Sequence, residues 1–371
     1  MFLRSILLPF LWTRLLLAGV AWFSDQMSVS WTYPFRDAAR REWAFVPATW
    51  IDAFGRWDAH WYLDVASRGY EVRGPLATVQ SNVAFFPLYP WTVRALHAVL
   101  PGQGDGSWYL AALAVSNGAL LAALWLLWRL ARDLADEEAA TRAVLYVLVF
   151  PFGFVLSSAY PEALFLLLSV ASITAAMKGR PVLAGVLGLL LALTRPGGVL
   201  VAVPLAWIAL ERGGRRFPAL AAAALPGAGL AAHAALLWRV TGDPLALFHA
   251  QGAWGRTLTA PWQTLLQPRD FHPRIGPPEA LALALVAGLS AWLLRRRETR
   301  ALGIWALVSL VPVLLSGTLL SSIRFAAVIF PAFLALGILG RGAAFDRVVV
   351  IGFSFAQATL FFFWARFFWV G

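Results

Sequence analysis

The densest group of residues that could do chemistry lies in segment 54–70, FGRWDAHWYLDVASRGY. Asp58, His60 and Asp64 fall within seven residues there, and carboxylate and imidazole groups are common proton carriers in catalysis. The same pattern fits an amphipathic helix at a membrane surface whose charged groups are simply solvated. Composition alone favours this second interpretation, because interfacial aromatic residues are common.

Other polar residues occur where an ionisable group would lie close to membrane depth. Such a placement is costly and suggests function, with a side chain reaching lipid headgroups as the alternative. A lone histidine such as His249 is more often structural, and Arg14 either packs against a neighbouring helix or reaches the interface. The candidates are Asn82 in SNVAFFPLYP, Tyr160, Glu162, Arg195, Arg324 and, in FHAQGAWGR, Gln251, Trp254 and Arg256.

Apolar runs long enough to cross a bilayer must position these residues. Of 371 residues, 60% are hydrophobic and 13% are charged, against roughly 25% charged in soluble domains. The composition therefore excludes the soluble classes, and a span needs about 20 mostly apolar residues. Single spans are predicted at 3–23, 108–130, 218–240, 279–294, 301–319, 325–340 and 348–364.

Two further apolar stretches, 143–177 and 181–210, are too long for one span and short for two. The first is interrupted by PFGFVLSSAYPE at 151–162 and the second by TRPGG at 194–198, where Pro and Gly break helices. Each stretch is predicted to be a hairpin of two short helices, which brings the total to eleven spans. Interrupted helices are tolerated at membrane depth only beside protein or a watery cavity, so the hairpin tips are predicted to line a site.

The arginines predict the orientation of a single multi-pass domain over 1–371. With Arg4, the basic segments on one side of the membrane are 129–142, 178–180, 212–216, 295–300 and 341–347. The positive-inside rule assigns that side to the cytoplasm, together with the N-terminus. Both hairpin tips then lie outside, as do the long connections 24–107 and 241–278. The connection 24–107 is too long to serve only as a link between two helices.

Several other function classes are disfavoured. The net charge of +11 sits mainly in short loops and reflects topology, so nucleic-acid binding is not expected, whereas contact with membrane lipids is. The chain has no Cys, which excludes disulfides and cysteine nucleophiles. No phosphate-binding Gly-rich loop, Ser-His-Asp arrangement or paired metal-ligand motif stands out. Neither a metal nor another cofactor is predicted.

At these residues the chain resembles the PIG-V family of GPI mannosyltransferases and its prokaryotic relatives, which belong to the GT-C class of glycosyltransferases. The resemblance rests on RWDA at 56–59, WYL at 61–63, GY at 69–70 and NVAFFPLYP at 82–90, followed by AYPEALF at 159–165, LTRPGG at 193–198 and IRF at 323–325. The chain departs from eukaryotic members at Trp61, where they have a histidine. It also has Tyr160-Pro161-Glu162 where they resemble YSE, and Arg195-Pro196-Gly197 where they resemble RSNG.

The resemblance implies an all-α GT-C-like fold of about eleven transmembrane helices in a prokaryotic cytoplasmic membrane, with interfacial helices in a long first extracytoplasmic loop. It implies a polyprenyl or dolichyl phosphate sugar donor, a lipid-linked or glycan acceptor, and transfer of mannose with inversion. Asp58 matches the catalytic position, and a carboxylate there would take the proton of the attacking hydroxyl. Arginine forks suit the phosphate. The residues assigned to substrate binding are Arg56, Asn82, Tyr160, Glu162, Arg195, Gln251, Trp254, Arg256 and Arg324.

Two other functions stay open from the sequence. A transporter or lipid flippase would also show interrupted helices, but it predicts internal repeats, which are not evident. A structural or assembly protein would use the first loop to bind a partner, and its function would tolerate loss of the Asp58 carboxylate.

Overall fold

The computed structural model describes residues 2–27, 44–212, 216–266 and 276–370, and every regular element within these ranges is helical. A π-helical turn at Leu3–Leu7 leads into the first helix, and short 3-10 helices lie at Asn82–Ala84, Gly153–Ser157 and Pro196–Val201. The α-helices are α1 (Leu8–Gln26), α2 (Thr49–Asp52), α3 (Ala59–Arg68), α4 (Leu88–His97), α5 (Asp105–Leu134), α6 (Glu137–Val149), α7 (Glu162–Met177), α8 (Pro181–Ala192), α9 (Ala202–Arg212), α10 (Arg216–Thr241), α11 (Ala246–Gly252), α12 (Pro261–Leu266), α13 (Gly276–Leu294), α14 (Arg297–Val308), α15 (Val311–Leu314), α16 (Ser322–Ala326), α17 (Phe330–Leu339) and α18 (Ala343–Ala365).

Within the described ranges, five helices are long and apolar enough to cross a membrane, which confirms an all-α integral membrane protein. They lie at Leu3–Gln26, Asp105–Leu134, Arg216–Thr241, Pro277–Leu294 and Ala343–Ala365. Each covers one of the predicted single spans and extends it by a few residues, except at Leu3 and Leu294, where the observed and predicted ends coincide. The total of eleven spans stays a prediction.

Both predicted helix breaks are present. Between α6 and α7 the chain forms a 3-10 helix, and a second 3-10 helix separates α8 from α9. The broken backbone leaves carbonyl groups without helical partners, and side chains supply them. Gln357 of α18 donates to the carbonyls of Leu148 and Phe150 at 2.9 and 2.7 Å, and Arg14 of α1 donates to Leu148 at 3.2 Å. Arg14 is therefore a packing residue of the helix bundle.

A third break lies where the sequence predicted continuous helix, so the spans 301–319 and 325–340 are wrong in detail. Helix α14 ends at Val308, four residues before Pro312, and α17 begins only at Phe330, beside Pro331. A proline lacks an N–H and its ring clashes with the carbonyl four residues earlier, which explains both ends. Between them the chain forms two short helices, α15 and α16.

Small residues allow two neighbouring helices to pack with their backbones in contact. A side chain at Gly185 of α8 would come within 2.3 Å of the Ala222 carbonyl of α10, and one at Gly229 of α10 within 2.5 Å of the Leu189 carbonyl. Gly-mediated contact of this kind is typical of membrane helices. It holds the second hairpin against α10.

The basic connections meet at one end of the bundle. Asp133 pairs with Lys178 at 3.6 Å, and Asp136, which caps α6, pairs with Arg341 at 3.0 Å. Helix α5 has 30 residues, so it extends about 45 Å from this end to the other. At that other end, Tyr109 of α5 donates to the carbonyl of Ile51, beside the RWDA segment.

Replacing Gln357 should test how the first break is stabilised. In Gln357→Leu the carbonyls of Leu148 and Phe150 lose a buried partner, which costs about 1–3 kcal/mol. We expect a lower melting temperature in detergent. Thr359→Val on the exposed side of the same helix is the control, and equal melting temperatures for the two variants would contradict this role.

Candidate active site

The RWDA segment forms a tight turn between α2 and α3. Arg56 is buried, with its Nη1 2.6 Å from Asp52 Oδ2, and it donates to the carbonyl of Ala365 at 3.2 Å. Trp57 follows with a positive φ of 56°, a conformation that costs a bulky residue on the order of 1–3 kcal/mol. Its ring packs edge-on against Trp369 at 5.3 Å. The turn is therefore held in a strained shape by its surroundings.

Asp58 stands at the start of α3, yet its side chain does not cap that helix. Its Oδ2 instead accepts a hydrogen bond from Nη1 of Arg324 at 2.8 Å. The Nε of Arg324 lies 3.5 Å from Oε1 of Glu162, and Arg195 Nη1 lies 3.0 Å from the same oxygen. We call Asp58, Arg324, Glu162 and Arg195 the charge chain; it joins the first loop to all three helix breaks.

Three arginines surround one aromatic ring beside the charge chain. The guanidinium carbons of Arg195, Arg324 and Arg256 lie 4.5, 5.7 and 5.6 Å from the centre of the Phe325 ring. Arg256 reaches it from the turn after α11 and contacts Gln251 Oε1 at 3.4 Å. Among the described residues, no carboxylate lies within 4.0 Å of Arg256.

Burial, together with the neighbouring Arg324 guanidinium, lowers the pKa of Arg256 to about 10. Both causes act against the charged form, so a negatively charged ligand beside Arg256 would stabilise it. Glu162 Oε2 is buried and makes no hydrogen bond to the described residues, and Arg195 Nη1 and Arg324 Nε pair with Glu162 Oε1 without hydrogen-bond geometry. The cluster thus has unused capacity to bind an anion and a hydroxyl group.

An aromatic wall borders the charge chain. Trp61 of α3 stacks on Phe85 with ring centres 6.0 Å apart, and Trp254 packs edge-on against Phe85 at 5.5 Å. Burial lowers the pKa of the adjacent His60, although Asp64 opposes this shift, so the imidazole is neutral near pH 7. His60 thus adds no cation to this wall.

Asn82 supports the wall from behind. Its Nδ2 donates to Asp64 Oδ2 at 2.8 Å and to the carbonyl of Gly69 at 2.9 Å. Arg73 donates to the same Asp64 oxygen at 2.7 Å, and its guanidinium lies over the Trp61 ring. Asn82 therefore fixes the segment that follows α3.

The structure separates the predicted site residues into two groups. It brings together Asp58, Glu162, Arg195, Arg256 and Arg324. The others bind the backbone or pack around them. Tyr160 donates to the Arg56 carbonyl at 2.8 Å, Gln251 to the Ala84 carbonyl at 3.2 Å, and Trp254 lies in the aromatic wall.

Two residues that build the site were missed in the sequence. Asp52 pairs with Arg56 four positions later, a spacing that signals an ion pair on one helical turn. Phe325 stands inside the IRF motif, but nothing in its spacing shows that three arginines converge on it. Among the described residues, no group of three or more His, Asp or Glu side chains is placed to hold a metal ion.

Fold and site together define an integral membrane protein with a buried cluster of carboxylates and arginines. Residues 2–222 match the family Mannosyltransferase (PIG-V), which is more than half of the chain. The protein belongs to this family, and so to the GT-C class of membrane glycosyltransferases. Glu162 and Arg195 of the charge chain fall inside the match, whereas Arg256 and Arg324 fall outside it.

Similar folds are found among structures of the oligosaccharyltransferase AglB from the archaeon Archaeoglobus fulgidus. The complex with an inhibitory peptide and a dolichol-phosphate is 14% identical, with a TM-score of 0.48, covering 96% of this chain and 55% of that one. The complex with Zn and sulfate is 15% identical, with a TM-score of 0.45, covering 83% and 48%. The chain thus spans about half the length of these enzymes. No curated protein matches the sequence.

Arg256 should determine how strongly the site binds a lipid phosphate. Arg256→Gln removes one charged hydrogen-bond partner, worth about 1.5–3 kcal/mol, so binding of dolichyl phosphate should weaken about 10- to 100-fold. Dolichyl phosphate binding to the purified protein would be measured by fluorescence competition. Arg239→Gln, at the exposed end of α10, is the control, and equal affinities in the two variants would contradict the assignment.

Proposed function

We propose that this glycosyltransferase moves a mannosyl residue from a polyprenyl or dolichyl phosphate to a hydroxyl group of a lipid-linked or glycan acceptor. Transfer inverts the anomeric carbon and takes place on the extracytoplasmic face. The observation that carries the proposal is the contact between the Asp58 carboxylate and the arginine cluster, 2.8 Å at Arg324. A proton acceptor and a phosphate site are thus adjacent.

The charge of the cluster supports a lipid-phosphate sugar donor. Arg195, Arg256 and Arg324 carry three positive charges, whereas Asp58 and Glu162 carry two negative ones. One positive charge is left over, which matches the single negative charge of a phosphodiester. Guanidinium groups bind phosphate oxygens through paired N–H groups and keep their charge when buried.

Asp58 is better suited than Glu162 to accept the proton of the attacking hydroxyl. Its side chain is 16% exposed, whereas that of Glu162 is 1% exposed. Only Oδ2 of Asp58 is bound to Arg324, and Oδ1 accepts no hydrogen bond from the described residues. A hydroxyl group could therefore approach Oδ1 while the arginine holds the other oxygen in place.

The proposed reaction is one displacement. The acceptor oxygen forms a bond to the anomeric carbon, and its proton passes to Asp58. The bond between that carbon and the phosphate oxygen breaks, and the lipid phosphate leaves with the electron pair. The arginines stabilise the charge that develops on the leaving group. Inversion requires the hydroxyl and the phosphate on opposite faces of the sugar, by analogy with inverting glycoside hydrolysis.

The aromatic wall is the proposed sugar-binding surface. Trp61 and Trp254 are half-buried beside the charge chain, and an indole ring offers an apolar face to a sugar together with one N–H group. Asn82 and Arg56 act indirectly, because they hold in place the segments that carry Trp61 and Asp58. Tyr160 holds the carbonyl of Arg56 and so joins the first hairpin tip to the RWDA turn.

Asp58→Asn tests the proposed base. The amide keeps the shape of the carboxylate but cannot take the proton, so transfer from dolichyl phosphate mannose should fall about a hundredfold or more. Dolichyl phosphate should still bind, because the arginines remain. Initial rates would be measured with labelled sugar donor and a membrane lipid extract.

The matched control for this variant is Asp133→Asn, which removes a carboxylate at the opposite end of the bundle. It should transfer at the wild-type rate. The proposal that Asp58 is the base fails if Asp58→Asn, expressed and folded at the wild-type level, transfers as fast as this control.

Cysteine labelling tests the proposed orientation. The chain has no Cys, so Thr78→Cys in the first long loop and Glu298→Cys at the basic end would each create a single exposed thiol. In intact cells or spheroplasts, a membrane-impermeant maleimide should label Thr78→Cys and leave Glu298→Cys unlabelled until the membrane is opened. The reverse pattern would place the site in the cytoplasm.

A further inference from the structure

Glu279 is a buried carboxylate that binds the backbone next to Arg324. It lies near the start of α13, and its exposed fraction is 1%. Its Oε1 accepts the N–H of Ser321 at 3.1 Å, and its Oε2 accepts the N–H of Ile323 at 2.5 Å. Both oxygens are thus used to hold one short segment of the third helix break.

That segment is buried, but it is too short to be stable as a helix on its own. Helix α16 has only five residues, and an isolated turn of this length is unstable because nucleation costs more than its few hydrogen bonds return. It begins after Ser321, which has a left-handed φ of 70° that is unfavourable for a residue with a side chain. The N–H groups at the start of a helix also need partners. Glu279 accepts hydrogen bonds from two N–H groups at the start of this helix, those of Ser321 and Ile323.

The consequence reaches the charge chain through Arg324. Its Nη1 lies 2.8 Å from Asp58 and its Nε 3.5 Å from Glu162. A hydrogen bond between Asp58 and Arg324 forms only if the backbone of α16 stays in place. Glu279 itself makes no hydrogen bond to the residues of the charge chain, so it acts through the backbone of the residues before Arg324.

We propose that Glu279 is a positioning residue for the transfer reaction, which orients Arg324 toward both the carboxylate base and the phosphate of the sugar donor. The inference rests on the proposed function. A glutamate is suited to this task because its carboxyl group has two oxygens, and these accept the N–H groups of Ser321 and Ile323. A glutamine has one acceptor oxygen and presents an NH₂ group to the second N–H.

The primary test is Glu279→Gln in the full-length protein purified in detergent. Hydrogen–deuterium exchange of the peptide covering Ser321 to Ile323 should become faster. The kcat/KM for dolichyl phosphate mannose should fall at least about tenfold, an effect typical of misplacing a binding group. Glu279→Asp keeps a carboxyl group with two oxygens and serves as a second variant if the first folds poorly; it should lose less kcat/KM than Glu279→Gln.

A double variant separates positioning from general stability. If Glu279 acts through Arg324, Glu279→Gln should change kcat/KM little in a protein that already carries Arg324→Lys, because interacting residues are non-additive. Gln357→Leu is the matched control, since it also removes a buried contact with backbone. Its effect should add to that of Arg324→Lys. The inference is overturned if the losses of kcat/KM caused by Glu279→Gln and Arg324→Lys add. It is also overturned if Glu279→Gln alone leaves both the exchange rate and kcat/KM at their wild-type values.

Failure of the proposed function gives a different result. If the wild-type protein transfers no sugar from dolichyl phosphate mannose, that function is wrong. The positioning role would then be decided by exchange and by dolichyl phosphate binding, which Glu279→Gln should weaken through Arg324. Active wild type with an unaffected Glu279→Gln variant would overturn only the role of Glu279.

Discussion

The charge chain of Asp58, Arg324, Glu162 and Arg195 is the constraint on which the rest of the structure depends. Moving a charged side chain out of water costs several kcal/mol, and only close partners of opposite sign offset that cost. Glu162 sits between two arginines, at 3.0 and 3.5 Å. The four residues come from the first loop and three separate helix breaks, so these segments must converge for any of the charges to be stable.

The helix breaks bring these segments together at the site. A break ends the backbone hydrogen bonding of a helix, and the backbone groups it exposes are tolerated at membrane depth only beside protein or a watery cavity. The exposed groups then need partners. Gln357 and Arg14 serve the first break and Glu279 the third. The helix breaks help to form the site, and the breaks in turn require these polar residues as hydrogen-bond partners.

The sequence predicted the parts of this arrangement that are local. Pro151, Pro161 and Pro196 interrupt apolar stretches of unusual length, so two hairpins could be placed, with Glu162 and Arg195 at their tips. The third break was missed, although Pro312 and Pro331 mark it. Each half of that region was long and apolar enough to be taken for an ordinary span.

Pairing of distant residues lay beyond the sequence. Asp58 and Arg324 are 266 positions apart, and no periodicity relates them. Arg56 shows that residues of one motif can have different surroundings. It stands two residues from Asp58 in RWDA and was assigned to substrate, but its guanidinium is used by Asp52 and the Ala365 carbonyl. A motif identifies residues that lie near a site, and the fold determines which of them can contact substrate and which support the surrounding backbone.

The unequal burial of the two carboxylates explains how one cluster could serve both parts of the proposed reaction. A base must take a proton and then release it, so it needs access to substrate and to water. Glu162 has neither, because it is 1% exposed and bound between two arginines. Asp58 shares Arg324 with it but keeps one oxygen unbound at the edge of the cluster. Glu162 is therefore suited to hold the arginines together, and Asp58 to exchange the proton.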